Sequence, residues 1–559
     1  MTPRRARSCA GAVLLCAAGL GLVLPAQAET QPMSAIDWLS RSVVTPVGMA
    51  PNGSRAVTGA HPGEPPVSSG APVADVTVMS LDRPSSNGLG LLPADRTGLP
   101  RDLWGATPEA SLAVTLRKER LDTLPSVQGF LLELLLAELD PPLNTATTGR
   151  NVLFLARIDR LLDLGALEPA LALLEQADPA DPEIFRRHFD VALLLGQEDA
   201  ACAMMERAPS IAPSFPARIF CLARRGDWQT AALSFGTGRA LGQIDDDIAP
   251  LLERFLEPEL ADGVEDLVPP ARPSPLVFRM MEAIGQPMPT GNLPLAFAQA
   301  DLRANTGWKA QLEAAERLAR VGVLDPNQLL GLYTDQSAAA SGGVWDRVNA
   351  IAKLDTAIAA GKASRVAQLL PAAYDVMQGQ ELEPVLAAFY APQLATMDLP
   401  GDSGALAFRL GLLTPDYETV ARARTPRDLD ERLLVGIAQG TTAGIPAQDQ
   451  LGLALKQVFD TPPAAAPAPY AALLPGRLGE ALLAAIDDVT EGAKGDYRRV
   501  VAGLSLLRMA GLESVARRTA LELVILERRG CARGPTRQAG LRHFWTPRPP
   551  RPDRRATRC

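Results

Sequence analysis

The reactive side chains of this 559-residue chain are few: six cysteines, three histidines and some clustered acids. Cys202 and Cys221 lie too far apart for a Cys-x-x-Cys redox pair, and no histidine stands close enough in sequence to activate either thiol. Their chemistry is therefore to be linked as a disulfide in an oxidising compartment, or to stay as two small buried thiols. His61, His188 and His543 are remote from one another, which argues against a histidine-based zinc site or a Ser-His-Asp triad. Asp245, Asp246 and Asp247 have the oxygens for a divalent cation, but such a run before a helical pattern reads better as a helix cap. Gly361-Lys362 lacks the upstream glycine and following hydroxyl of a phosphate loop. Glu513, followed by Ser514, is the one carboxylate considered as a general acid. No cofactor and no metal is expected.

The elements that position these residues are announced by repetition. Phe154 precedes Gly165 by eleven residues, Phe185 precedes Gly196 and Phe215 precedes Gly226 by the same interval. Ala170, Ala201 and Ala231 follow at plus five; Leu174, Met205 and Phe235 at plus nine; Ala177, Ala208 and Gly238 at plus twelve. Spacings of 31 and 30 between the glycines match one helical hairpin, and repetition at that period predicts stacked hairpins. In this frame Cys202 falls on a second helix and Cys221 on the next first helix, side by side. Glycine and alanine are expected to let paired helices approach closely, with the aromatic filling the space between hairpins.

These columns, with the turn prolines Pro182 and Pro213, resemble tetratricopeptide repeats. The resemblance implies an all-α fold of stacked helical hairpins, a tetratricopeptide-like α-solenoid with a concave binding surface. The first helices depart from it: Arg157-Ile158, His188-Phe189 and Arg218-Ile219 stand where that family has a Leu-Gly pair. A second likeness is narrower. Exported helical solenoids include the lytic transglycosylases, whose catalytic acid is a glutamate followed by serine. Here Glu513 sits on a repeat-like hairpin, no Gly-Leu-Met-Gln type segment follows, and a surface glutamate is the better reading. A peptidoglycan-cleaving enzyme therefore stands only as the alternative.

Residues 1–28 read as a signal peptide: Arg4, Arg5 and Arg7, an apolar run from Ala10 to Leu24, then Ala26-Gln27-Ala28 with cleavage after Ala28. Arg4-Arg5 alone does not make a twin-arginine motif, and Leu15 before Cys16 argues against a lipoprotein. No later run has the ~18 consecutive apolar residues of a membrane span. Residues 29–105 form a Pro/Gly/Ser-rich arm with at most one short strand near Ala74–Leu81, its Trp38 and Trp104 expected to dock on the helical body. Hairpin repeats occupy 106–260, a Pro-rich junction 261–294, and a second helical block 295–460. A Pro/Ala linker (461–469) leads to a last helical block at 470–529. Hairpin signatures recur faintly at Gly361 and Gly511.

Residues 530–559 carry eight arginines and five prolines against one acid, Asp553. They read as a disordered tail, as a basic arm touching anionic lipid or polymer, or as text out of an ancestral frame. A net charge of −8 argues against nucleic acid as the partner. The expected role is non-catalytic protein binding or scaffolding in the cell envelope, in the periplasm, with other envelope proteins as partners. A structural subunit of an envelope complex is a further alternative. Arg224, Arg225 and Trp228 are the groove candidates, equally readable as a solvated helix end. The loop Tyr333–Trp345 carries Trp345 either to a partner or back onto the core.

Overall fold

A computed structural model describes residues 85–143, 151–261, 265–460 and 465–526. The residues read as a signal peptide, most of those read as an arm with one short strand, Trp38, His61 and the Arg/Pro-rich stretch with His543 lie outside the described residues. Among the described residues the protein is all-α. They hold 24 α-helices, a few 3₁₀ turns and no strand, with one isolated bridge between Leu92 and Ala137.

After a short helix α1 (Ala94–Thr97) come α2 (Glu109–Lys118) and α3 (Pro125–Leu136). The repeats follow as three hairpins: α4 (Val152–Asp163) with α5 (Leu167–Gln176), α6 (Pro182–Leu195) with α7 (Glu198–Arg207), and α8 (Phe215–Arg224) with α9 (Trp228–Ala240). The two helices of each hairpin pack on one another, as do most consecutive helices among the described residues. Gly165, Gly196 and Gly226 fall between the helices of each pair, with φ of 73°, 76° and 85°. They therefore end the first helix in a left-handed turn that only glycine enters readily. In the second hairpin the Gln197 N–H reaches back to the Ala192 carbonyl at 2.8 Å, the six-to-one bond of such a turn. That corrects the expected reason for these glycines, which was close helix approach. The alanines at plus five do serve it, since Ala170, Ala201 and Ala231 are fully buried. So does Gly238, where a Cβ would press on the Phe215 ring. The aromatic and the small residue at plus twelve of one unit are thus in contact.

α10 (Ala249–Leu256) and α11 (Pro275–Ala283) follow, and α11 turns back to pack on α6. The Pro-rich junction thus contains a helix, started by Ser274 capping Val277 N–H, that buries Leu276, Phe278, Met280 and Met281. Together these helices enclose a core from Phe185 to Met281.

The second block comprises α12 (Ala298–Asp301), α13 (Trp308–Arg320), α14 (Pro326–Asp335), α15 (Val344–Ala359), α16 (Ala363–Gln378), α17 (Glu383–Ala395), α18 (Gly401–Leu412), α19 (Tyr417–Ala423), α20 (Leu429–Gln439) and α21 (Gln450–Phe459). The last comprises α22 (Leu478–Gly492), α23 (Tyr497–Met509) and α24 (Glu513–Ile525). Gly361 and Gly511 occupy hairpin turns with φ of 64° and 81°. A single continuous core runs from Leu92 to Leu526 through both blocks.

Closure is the feature that hairpin periodicity does not convey. α3 is mostly apolar and buried on nearly all sides, and it packs against α4 on one hand and α24 on the other, while α2 touches α22. Trp104, 1% exposed, lies against Gly479 at the start of α22. Gly479 N–H donates to the Leu103 carbonyl, and Ala106 N–H to the Gly476 carbonyl, both at 2.9 Å. The expected docking of Trp104 is thus observed, and its dock is the far end of the chain.

Candidate functional site

Cys202 on α7 and Cys221 on α8 are joined as a disulfide with their Cα atoms 5.2 Å apart. The bond ties the second hairpin to the third and fits an oxidising compartment.

Arg224 and Arg225 end α8 and face back toward α7. Arg224 pairs with Asp199 at 2.9 Å and more distantly with the buried Glu198; Arg225 pairs with Glu206 at 2.5 Å. Both thus brace the same two hairpins that the disulfide joins, and neither is an uncommitted cation. Trp228 opens α9, 48% exposed, with its ring 6.2 Å from that of Phe255.

The exposure of Trp228 continues along its helix. α9 buries only Ala231 and Gly238. Its opposite face carries Gln229, Ala232, Leu233, Gly236, Thr237 and Ala240, all exposed and none charged. Leu233 is 72% exposed, and Leu241, which closes the helix, 68%. Arg239 stays at the margin, over the Phe235 ring. A helix exposed to water normally shows it a charged face, and this outward arc is made of apolar, small and neutral polar residues instead. The sequence reading named Trp228 but missed Leu233 and Leu241; the signal available to it was the lack of charge along the helix, Arg239 being its one charged residue.

Trp345 is placed differently. It is half-buried, its ring 5.0 Å from that of Trp308, whose Nε1–H donates to the Leu332 carbonyl. Beside it Glu316 accepts from the Tyr333 hydroxyl at 2.7 Å and from Arg347 through two nitrogens at 2.7 and 2.6 Å. This buried triad pins both ends of the exposed loop between α14 and α15. Burial, with the Glu316 charge beside it, pushes the Tyr333 hydroxyl well up. Trp345 therefore packs back on the body, and it lies apart from Arg224, Arg225 and Trp228 in the fold.

The remaining candidates are engaged structurally. Glu513 has one oxygen on Arg508 at 2.9 Å and the other on Arg517 at 2.8 Å. Both of its carboxylate oxygens are thus engaged in ion pairs within the fold. The Asp245–Asp247 run precedes α10, but no side chain caps that helix; the Asp245 carbonyl accepts from Ile248 and Ala249 instead. No cluster of three metal-ligating side chains occurs among the described residues. His188 is buried on α6, its Nδ1 without a partner, and burial pushes its imidazole down.

No helix among the described residues is long and apolar enough to cross a membrane. No family model, curated protein or solved structure matches this chain.

Proposed function

We propose that this is an exported, non-catalytic protein, a stack of helical hairpins that binds or scaffolds other proteins of the bacterial cell envelope. The signal pattern ending at Ala28 and the Cys202–Cys221 disulfide support a periplasmic setting. The observation that carries the binding role is the uncovered, uncharged face of α9. Exposed apolar side chains grouped on one helix of a rigid, disulfide-braced hairpin favour a protein surface as the ligand, with Leu233 and Leu241 as anchors and Trp228 at the margin.

A photo-crosslinking amino acid at position 233, used in cells that export the full chain, tests this. Discrete covalent adducts that disappear with Leu241→Asp would support the reading. Labelling no stronger than from an exposed position on α16, such as Arg365, would overturn it.

A further inference from the structure

The chain closes on itself along one polar seam, and one carboxyl group in that seam has no partner. Glu119, which ends α2, is 7% exposed. Around it stand Asp487 on α22 and Arg160 on α4, each close enough to act on its charge. Arg160 is 3% exposed, and its Nε and one terminal nitrogen have no hydrogen bond. Its other terminal nitrogen reaches Asp163 only at 3.4 Å.

Most other charges near this contact are paired, while Glu109 on α2 and Arg157 on α4 are buried and held by neutral groups. On α22, Asp487 and Asp488 both pair with Arg499 of α23, at 2.9 and 2.6 Å. Glu491 pairs with Lys494 and, across the seam, with Arg120 at 2.5 Å; Arg120 also holds Asp122. On α4, Asp159 is taken by Arg117 and Arg187. The Thr123 and Thr490 hydroxyls share a bond across the same seam at 2.6 Å. Lys118, on the outer side of α2, is exposed. An ionised Glu119 would bring a negative charge with no paired cation to the contact between α2 and α22.

We propose that this seam is a pH-responsive clasp, closed while Glu119 carries its proton and loosened when Glu119 ionises against Asp487. The structure supplies the cause: a carboxyl on a buried residue with no protein donor, at a contact with the helix whose Asp487 already shares its cation. Burial, reinforced by Asp487 and opposed by Arg160, pushes the Glu119 carboxyl up to about 8. Because the folded value lies above the ordinary 4.5, the contribution to closure is complete below that value and is lost as pH rises through about 8. The direction is a choice between two outcomes. Ionised Glu119 either repels Asp487 or captures the idle nitrogens of Arg160, and the second would tighten the seam.

Hydrogen exchange of the mature full-length chain at pH 6.5 and 9, corrected for intrinsic rates, reads the seam directly. Segments 115–124 and 484–494 should lose protection by roughly tenfold at pH 9, with α16 as an unchanged internal reference. Glu119→Gln, which cannot ionise, should keep the protected state at both pH values. Should that variant not fold, Asp487→Asn serves in its place, shrinking the change and moving its midpoint to lower pH. Equal protection of the wild-type seam at both pH values, tighter protection at pH 9, or an undiminished loss in the substituted chain would each overturn the proposal.

Discussion

Glu522 on α24 accepts hydrogen bonds from both the backbone N–H and the hydroxyl of Ser126, 396 residues earlier, at the first turn of α3. α3 has no side-chain cap of its own: Leu124 stands at the position before it, and Pro125 opens it. A carboxylate brought from the other end of the chain therefore satisfies the N–H that a local serine or aspartate would normally hold, where the helix dipole also favours negative charge. Both residues are buried, so water offers no substitute.

Glu522→Ala should accordingly cost about 2–4 kcal/mol in equilibrium denaturant unfolding, the loss of charge-assisted bonds plus a buried N–H left unmade. Ser126→Ala, which removes one of those bonds, should cost about 1 kcal/mol. Equal stability of wild type and Glu522→Ala would show that the carboxylate does not hold the chain end.

Gly479→Ala probes the same closure from the side of Trp104. At an exposed helix position alanine in place of glycine stabilises by roughly 0.5–1 kcal/mol. Here the new methyl would strike the Trp104 indole and come 3.1 Å from the Leu103 carbonyl. The sign should therefore reverse, to a loss of about 1–3 kcal/mol, with a changed near-ultraviolet circular dichroism signal from the displaced tryptophan. A stabilised variant with an unaltered spectrum would contradict the packing described.

The Cys202–Cys221 bond closes a loop with a sequence separation of 19, which in the chain-entropy description contributes about 3 kcal/mol. The double substitution Cys202→Ser with Cys221→Ser should lower stability by that order. The loss should appear in exchange protection of α7 and α8 and leave α15–α18 unchanged. Reductant should reproduce the effect in the wild type and do nothing further to the variant.

Glu431 makes acid sensitivity testable elsewhere. Burial alone would raise its carboxyl, but bonds from Arg424, from the Arg427 backbone and from the Arg427 side chain outweigh it and bring it down to about 2. The folded value lies below the ordinary 4.5, so the stabilisation is present above pH 4.5 and is lost as pH falls toward 2. Glu431→Gln should be less stable than wild type at pH 7, and the two unfolding curves should converge near pH 2. A constant difference across that range would assign the effect to packing instead.

What the sequence shows of this architecture is what short spacing can carry. Most helices from α2 onward were readable from apolar periodicity, and the hairpin turns at Gly165, Gly196, Gly226, Gly361 and Gly511 from their glycines, but α11 was hidden among the prolines around it. The departure from tetratricopeptide pattern at Arg157 also had a cause that only the fold reveals. Arg157 is buried and donates to the carbonyls of Leu135, Ala137 and Leu89 at 2.7–2.8 Å, holding the C-terminal end of α3. Its counterpart His188 is buried beside Phe185, and Arg218, on the third hairpin, is exposed over the Phe215 ring. The pairs Trp104 with Gly479 and Ser126 with Glu522 were not readable, because contact between residues hundreds apart leaves no mark in local periodicity. For α9 the turn, the helix and its scarcity of charge were visible, but which of its faces packs on a neighbour was not.

Because α3 wedges between α4 and α24, neither flank of this row of hairpins is available for another hairpin to join. Open arrays can gain or lose whole units by duplication and deletion. In this chain a change of one hairpin would carry Glu522 away from Ser126 and Gly479 away from Trp104, so its number of units is tied to its closure, and its lineage should vary loops rather than length.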